Sequence, residues 1–256
     1  FAGGPAANAA ITFSALGNES SLCSGLGNHP AAQLALRDLV AYGVRFHDYS
    51  AHPEKEPVIS SILINSVTGD RCVIYSNTDE RSLSDESDYQ VLLDNCQVLL
   101  LDGYYLGQAV ELAKLAQERG VKVVLDGGSW KDDLDHLLPY IDYAICSENF
   151  LPPGCTDLKS VLEYLSLHKM SGCAVSRGSN SIVTREGEKI CSLEVNQVET
   201  VDTLGAGDIL HGAFCHAILT CSFMSSLERA AEIASESCRH YGPRQWIAEG
   251  NHGMDS

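Results

Sequence analysis

Apolar positions along this chain fall into two kinds of segment that alternate. Val98–Leu101 (VLLL), Val121–Leu125 (VKVVL), Ile141–Cys146 (IDYAIC) and Cys173–Ser176 (CAVS) are short, nearly continuous apolar runs. Such runs predict strands buried on both faces, as in a parallel sheet. Other segments are apolar on one side only. Gln108–Arg119 carries Ala109, Leu112, Ala113, Leu115 and Ala116 at helical spacing, with Gly120 behind it as a stop. The same reasoning predicts helices over Ala6–Leu16 before Gly17, Ala31–Tyr42 before Gly43, Leu158–His168, Ala206–Thr220 and Ser226–Tyr241. Ser21–Gly25 reads as a further short strand. The strand, helix and strand over 98–125 imply a right-handed parallel crossover. The expected class is α/β, a mostly parallel sheet between helices.

Two segments break the alternation. Val58–Ser76 holds two β-rich runs, VISSILINS and RCVIYS, around the turn candidate Val67-Thr68-Gly69-Asp70, with no helix between them. It predicts a hairpin projecting from the body. Ile62 and Ile64 give that hairpin an apolar face. A second hairpin, Ser181–Arg185 with Lys189–Val195, turns about Glu186-Gly187-Glu188. No repeat, low-complexity tract or interdomain linker divides the 256 residues.

Charge narrows the partners. Seventeen Lys and Arg face 34 Asp and Glu, a formal net charge of −17. Such a surface repels nucleic acid, so a phosphate site must be built locally from backbone N–H groups, a few cations or Mg²⁺. No run approaches the roughly 20 apolar residues of a membrane span. The ten cysteines form no C-x-x-C pair. They read as buried reduced thiols of a cytoplasmic protein. The chain opens at Phe1, already inside a Gly-rich turn and without a signal-like stretch, which suggests that an N-terminal segment precedes it.

The chemistry is densest at Val201-Asp202-Thr203-Leu204-Gly205-Ala206-Gly207-Asp208, which runs straight into an apolar helix. Small residues let backbone approach a ligand, and N–H groups at a helix N-terminus face an anion. An acceptor at Asp208 beside such a cradle suits phosphoryl transfer to an alcohol. A tight loop with a favourable N-terminal charge explains the same residues without any ligand. The Walker-A pattern and a G-x-G-x-x-G turn after a strand are both absent. Near the start, Gly3-Gly4-Pro5-Ala6-Ala7-Asn8 opens a helix whose first turns carry an amide able to reach hydroxyls or simply to cap and pack.

Together, GGPAANAA and DTLGAGD resemble the two signatures of the ribokinase/PfkB carbohydrate-kinase family, and the resemblance spans nearly the whole chain. SSILINSVTGDRCVIYS is similar to the substrate lid of ketohexokinases. The resemblance implies a ribokinase-like three-layer α/β/α sandwich with a mostly parallel central sheet and a small projecting β lid. One kinase domain would fill residues 1–256, with the lid at about 57–77 and the family's first strand, with its sugar-gripping aspartate, missing upstream. It implies an ATP-dependent sugar kinase acting on a hydroxymethyl group of a ketohexose or related sugar. Asp208 would be the catalytic base and Gly205-Ala206-Gly207 the anion hole. Gly3, Gly4, Asn8, Asp102 and Tyr104 would line the sugar site. Lys131, Ser147, Arg177 and Gly178 would meet the nucleotide, together with Gly205 and Gly207.

Pro5 departs from the family's GGN form, and Tyr104 stands where ketohexokinases carry an arginine; Lys131 is the candidate replacement cation. The family's metal-holding N-x-x-E is not kept in Ser147-Glu148-Asn149-Phe150, which leaves Glu148 as a candidate through water. Mg²⁺ would accompany ATP, with a monovalent cation such as K⁺ an added candidate. The lid would clasp a second copy in a homodimer. His211, one turn past Asp208, could touch the base or substrate, or only pack. Two other readings stay open: a kinase of nucleosides or other alcohols on the same fold, and a non-catalytic sensor of sugar or nucleotide.

Overall fold

The computed structural model describes residues 1–64, 71–75, 83–84 and 89–249. Helix α1 (Pro5–Ala15) leads into β1 (Ser20–Ser24), α2 (Ala32–Ala41) and β2 (Val44–Asp48). The hairpin strands β3 (Ser60–Ile64) and β4 (Arg71–Tyr75) come next. The alternating stretch then runs through β5 (Val98–Leu101), α3 (Leu106–Glu118), β6 (Lys122–Gly127), β7 (Tyr143–Ser147), α4 (Leu158–Ser166) and β8 (Gly172–Arg177). Strands β9 (Asn180–Glu186) and β10 (Lys189–Leu193) form the second hairpin, and α5 (Ala206–Ala217), α6 (Phe223–Ser237) and α7 (Gln245–Glu249) complete the chain.

Six strands make the central sheet, in the order β10-β9-β8-β7-β6-β5. Strands β5 to β8 are mutually parallel, and β9 and β10 continue the sheet antiparallel. The apolar runs alternate between two cores. Val123, Leu125, Ala144, Cys146, Cys173 and Val175 pack with α3 and α4 on one face. Val124, Ile145 and Ala174 pack with α5 and α6 on the other. A strand buried on both faces has no polar side to show, which is why these segments read as continuous apolar runs. The result is the three-layer arrangement expected from the sequence.

Strands β1 and β2 pair in parallel beside α1 and α2, around a smaller core of Ala7, Ile11, Leu22, Leu39 and Val44. Strands β3 and β4 pair antiparallel in a sheet of their own. Val58, Ile59, Ile62, Leu63 and Ile74 are exposed there. The expected turn at 67–70 lies outside the described residues.

One helix crossing joins the two ends of the chain. Helix α5 packs directly on α1, and a Cβ at Gly212 would lie 2.4 Å from the Ala9 carbonyl oxygen and 2.7 Å from Thr12 Cβ. Only glycine permits so close an approach of two backbones.

Candidate active site

Parallel strands place their carboxyl ends on one edge, where ligands of open α/β sheets bind. Here that edge gathers Asp102 after β5, Asp126 near the end of β6, Ser147 at the end of β7 and Arg177 at the end of β8. The N-terminus of α5 arrives beside them. Gly205 caps it with φ 77°, a left-handed conformation that a side chain would strain, and a Cβ there would stand 3.0 Å from Pro243 Cβ. The first helical bonds run from Ala206 N–H to Thr203 O (3.2 Å) and from Ile209 N–H to Gly205 O (2.8 Å). The N–H groups of Gly207 and Asp208 have no acceptor among the described residues, as the first turn of a helix dictates. Asp202 braces the loop by accepting from Leu204 N–H (2.9 Å) and Gly242 N–H (3.0 Å).

The two sequence signatures, far apart in the chain, meet through a side-chain bond. The Asn8 amide donates to Asp208 Oδ2 at 2.6 Å. Asn8 is buried, and its Oδ1 finds no partner among the described residues. The amide expected to face sugar therefore also orients the candidate base. Gly4 caps α1 with φ 102°. The Asp102 carboxylate lies at that helix start, accepting from the Ala6 and Tyr104 N–H groups. Lys131 Nζ donates to Asp102 O (3.2 Å) and lies 4.5 Å over the Tyr104 ring. Lys131 thus sits against the residues assigned to sugar.

Charge is crowded here. Burial raises the Asp102 carboxyl above the usual range, against the pull of the Tyr104 and Ala6 N–H groups and Lys131. Burial raises Asp208 as well, opposed by the Asn8 hydrogen bond and His211 and reinforced by Asp102. Asp126 is pushed up to about 6, first by burial, with His211 opposing and Asp208 and Asp102 adding to the rise. Asp126 is absent from the residues that the sequence singles out. Its signal was present, because VVLD at 123–126 repeats the apolar-run-then-acid pattern of LLLD at 99–102.

The nucleotide candidates are arranged differently. Ser147 Oγ donates to Gly128 O (2.6 Å) and accepts from Asn149 N–H (3.1 Å). The Arg177 guanidinium turns back onto its own hairpin, donating to Ser181 O (3.0 and 2.7 Å) and Ser181 Oγ (2.7 Å). Gly178 makes the turn with φ 59°. Glu148 is exposed, its N–H bonded to Ser176 O at 3.0 Å. Among the described residues no group of three or more His, Cys, Asp or Glu converges to hold a metal. Burial is the first cause of all three raised carboxyls, and for Asp126 and Asp208 a neighbouring carboxylate adds to it.

A three-layer α/β sandwich thus brings the N-terminus of α5, with a carboxylate in its first turn, beside a first helix opened by glycine. Residues 1–248 match the pfkB family of carbohydrate kinases, and the chain belongs to that family. It is 24% identical over 239 residues to the ribokinase of Lactococcus lactis, covering 91% of this chain and 77% of that one. Among solved structures, adenosine kinase from Sinorhizobium meliloti superposes with a TM-score of 0.80 at 18% identity, over 97% of this chain and 82% of that one. Aminoimidazole riboside kinase from Salmonella enterica, complexed with aminoimidazole riboside and an ATP analog, gives 0.76 at 17% identity, over 96% and 88%. The protein is a kinase of the pfkB carbohydrate-kinase family.

Proposed function

We propose that this kinase transfers the γ-phosphate of ATP to a hydroxymethyl group of a small carbohydrate, a ketohexose or a sugar of similar size. The observation that carries the reading is the Asp208 carboxylate, held by Asn8 at the mouth of α5 beside the N–H groups of the 205–207 turn. Asp208 accepts the hydroxyl proton as the oxygen attacks, and the Gly205-Ala206-Gly207 turn takes up the spreading charge of the phosphoryl group. The glycine pair Gly3-Gly4, Asn8, Asp102 and Tyr104 border the acceptor. Lys131 offsets the charge of Asp102 and Asp126 on that side. Ser147, Arg177 and Gly178 border the nucleotide on the β7–β8 side of the same edge. Mg²⁺ would neutralise the nucleotide phosphates, held mainly by them and by water, with Asp126 and Glu148 the nearby carboxylates. K⁺ remains a candidate activator. Dependence on ATP and the free thiols at Cys23, Cys146, Cys173 and Cys215 favour the cytoplasm.

The decisive assay measures ADP release against D-fructose, other ketoses, D-ribose and adenosine. Turnover of a ketose above the others supports the proposal; preference for adenosine overturns the sugar assignment, and binding without turnover of any alcohol favours a sensor.

The exposed apolar hairpin β3–β4 also supports a homodimer in which two lids clasp, since an isolated two-stranded sheet leaves its edges unpaired. Sedimentation equilibrium should find a dimer. A dimer surviving Ile62→Lys and Leu63→Lys together, or a monomeric wild type, would defeat the lid as its interface.

A further inference from the structure

The turn before α7 reaches both glycine-rich segments of the site. Arg244 in that turn is 5% exposed. Its guanidinium donates to Ala2 O (3.0 Å), just ahead of Gly3-Gly4, and pairs with Asp38 Oδ2 of α2 (3.4 Å). The same Asp38 oxygen accepts from Ala2 N–H at 2.8 Å. Both backbone groups of Ala2 are therefore held by one ion pair. The Arg244 Cζ lies 5.6 Å from the centre of the Tyr42 ring, a cation–π contact that packs the group against the end of α2. The two residues before it face the other segment. A Cβ at Gly205 would stand 3.0 Å from Pro243 Cβ, 3.7 Å from Asn8 Nδ2 and 3.8 Å from Asp208 Oδ2. Pro243 O accepts from the Trp246 indole (3.2 Å) and from Arg244 itself (3.3 Å). Gly242 N–H donates to Asp202 Oδ2 (3.0 Å), the carboxylate whose other oxygen holds Leu204 N–H.

We infer that Arg244 is a positioning residue of this kinase, clamping the Gly3-Gly4 turn against the Gly205-Ala206-Gly207 turn so that acceptor and phosphoryl group are held in register. The inference rests on the reading of those turns as the acceptor border and the anion hole. The side chain has the chemistry of a clamp. A guanidinium presents several N–H groups in one rigid plane, which a lysine ammonium does not. Its Nε is buried and has no acceptor among the described residues, so the group does not make all the bonds it could. A buried ion pair adds little net stability over an apolar pair of like volume. What this one supplies is geometry: Ala2 is fixed through its N–H and its carbonyl at once, while Gly242 and Pro243 fix the 202–205 loop.

Two variants test the clamp. Arg244→Lys keeps the charge and loses the planar fork; Arg244→Met with Asp38→Asn removes both charges at similar volume. With whichever acceptor the wild type phosphorylates, kcat should fall by about 10–100-fold in both, the cost of a misplacement on the order of 1 Å. KM for ATP should stay within about twofold, because an interaction felt only in the transition state lowers kcat and spares substrate binding. A plain structural staple behaves otherwise: its loss lowers the melting temperature, and kcat recovers when the variant is assayed well below that temperature. Such a recovery, or an unchanged kcat in both variants, would overturn the inference. Amide hydrogen exchange read by mass spectrometry reports on the clamp without turnover. In Arg244→Lys, exchange should quicken over 2–12 and over 203–208 together and stay unchanged in β6. Unaltered exchange in either segment, or quickening throughout the sheet, overturns the clamp whatever the enzyme phosphorylates. If no acceptor is phosphorylated, the functional reading has failed and exchange alone decides the clamp. If the double variant fails to fold, Arg244→Lys decides.

Discussion

The two ends of the sheet's active edge are built on opposite plans. At the β5–β6 end, Asp102, Asp126, Asp208, Asn8 and His211 bond to one another and to backbone across four elements, with little exposure. At the β7–β8 end, Arg177 and Gly178 are served within their own hairpin, and Ser147 bonds to Asn149 in its own turn and to Gly128 in the neighbouring loop. The difference teaches where precision is needed. Proton acceptance demands an atom fixed to within a fraction of an ångström. Holding a large, flexible polyanion such as a nucleotide needs mainly a surface that can rearrange around it.

The harshest way to probe this contrast is Asp208→Asn, which keeps the shape and removes the proton acceptor. The kcat should fall by about 10²–10⁴-fold, the range of general-base catalysis. ATP binding, followed by calorimetry, should survive or tighten. A variant that turns over like wild type would sink the role assigned to Asp208.

Asp102→Asn comes next. Loss of a charged acceptor for a sugar hydroxyl should raise the sugar KM by about 10–100-fold, from a hydrogen bond worth roughly 1.5–3 kcal/mol. Stability should move the other way. Burial holds the Asp102 carboxyl above its ordinary range, so its ionised form opposes folding. Its favourable contribution is whole below the ordinary aspartate value and is lost as pH rises through the raised one. The Asn variant should therefore melt above wild type at neutral pH, and the gap should close as pH falls toward about 4. Melting curves across that range that stay parallel would contradict the burial argument.

The mildest change belongs to the other end. Arg177→Ala should raise the KM for ATP by only about two- to tenfold, the worth of one net hydrogen bond, because the guanidinium is already satisfied by Ser181. A loss comparable to that of Asp208→Asn would erase the contrast between the ends.

Much of this was legible in the chain because the residues announce their surroundings. The four doubly buried strands contain almost nothing but apolar residues, and Val98–Leu101 falls where its pattern places it. The GAGD turn needs glycine for φ and a carboxylate for the helix end, and both are local demands. Strand β2 was not legible: Val44-Arg45-Phe46-His47-Asp48 has only two large apolar residues, and its pairing with β1 comes from a partner some twenty residues away. The role of Asp126 required knowing that β6 lies beside α5. The bonds of His211 depend on Ile145 O, which a sequence cannot place. Lys131 was expected at the phosphates, and its contact with Tyr104 depends on how two loops fold against each other.

The glycine contact between α1 and α5 also has a kinetic side. The orienting amide of Asn8 and the candidate base Asp208 belong to the first and nearly the last elements of the chain, and they can meet only after the sheet between them is in place. Contacts of such sequence separation form late, because closing so long a loop is repaid only at the end. While the chain is being synthesised, the central strands and their helices can fold before α5 has emerged, and the emerging protein holds a finished scaffold with no base in position. Activity would then appear in one step, when α5 docks. A folding experiment that follows both tryptophan fluorescence, from Trp130 in the central core and Trp246 near the end, and ADP release should see the two signals part company.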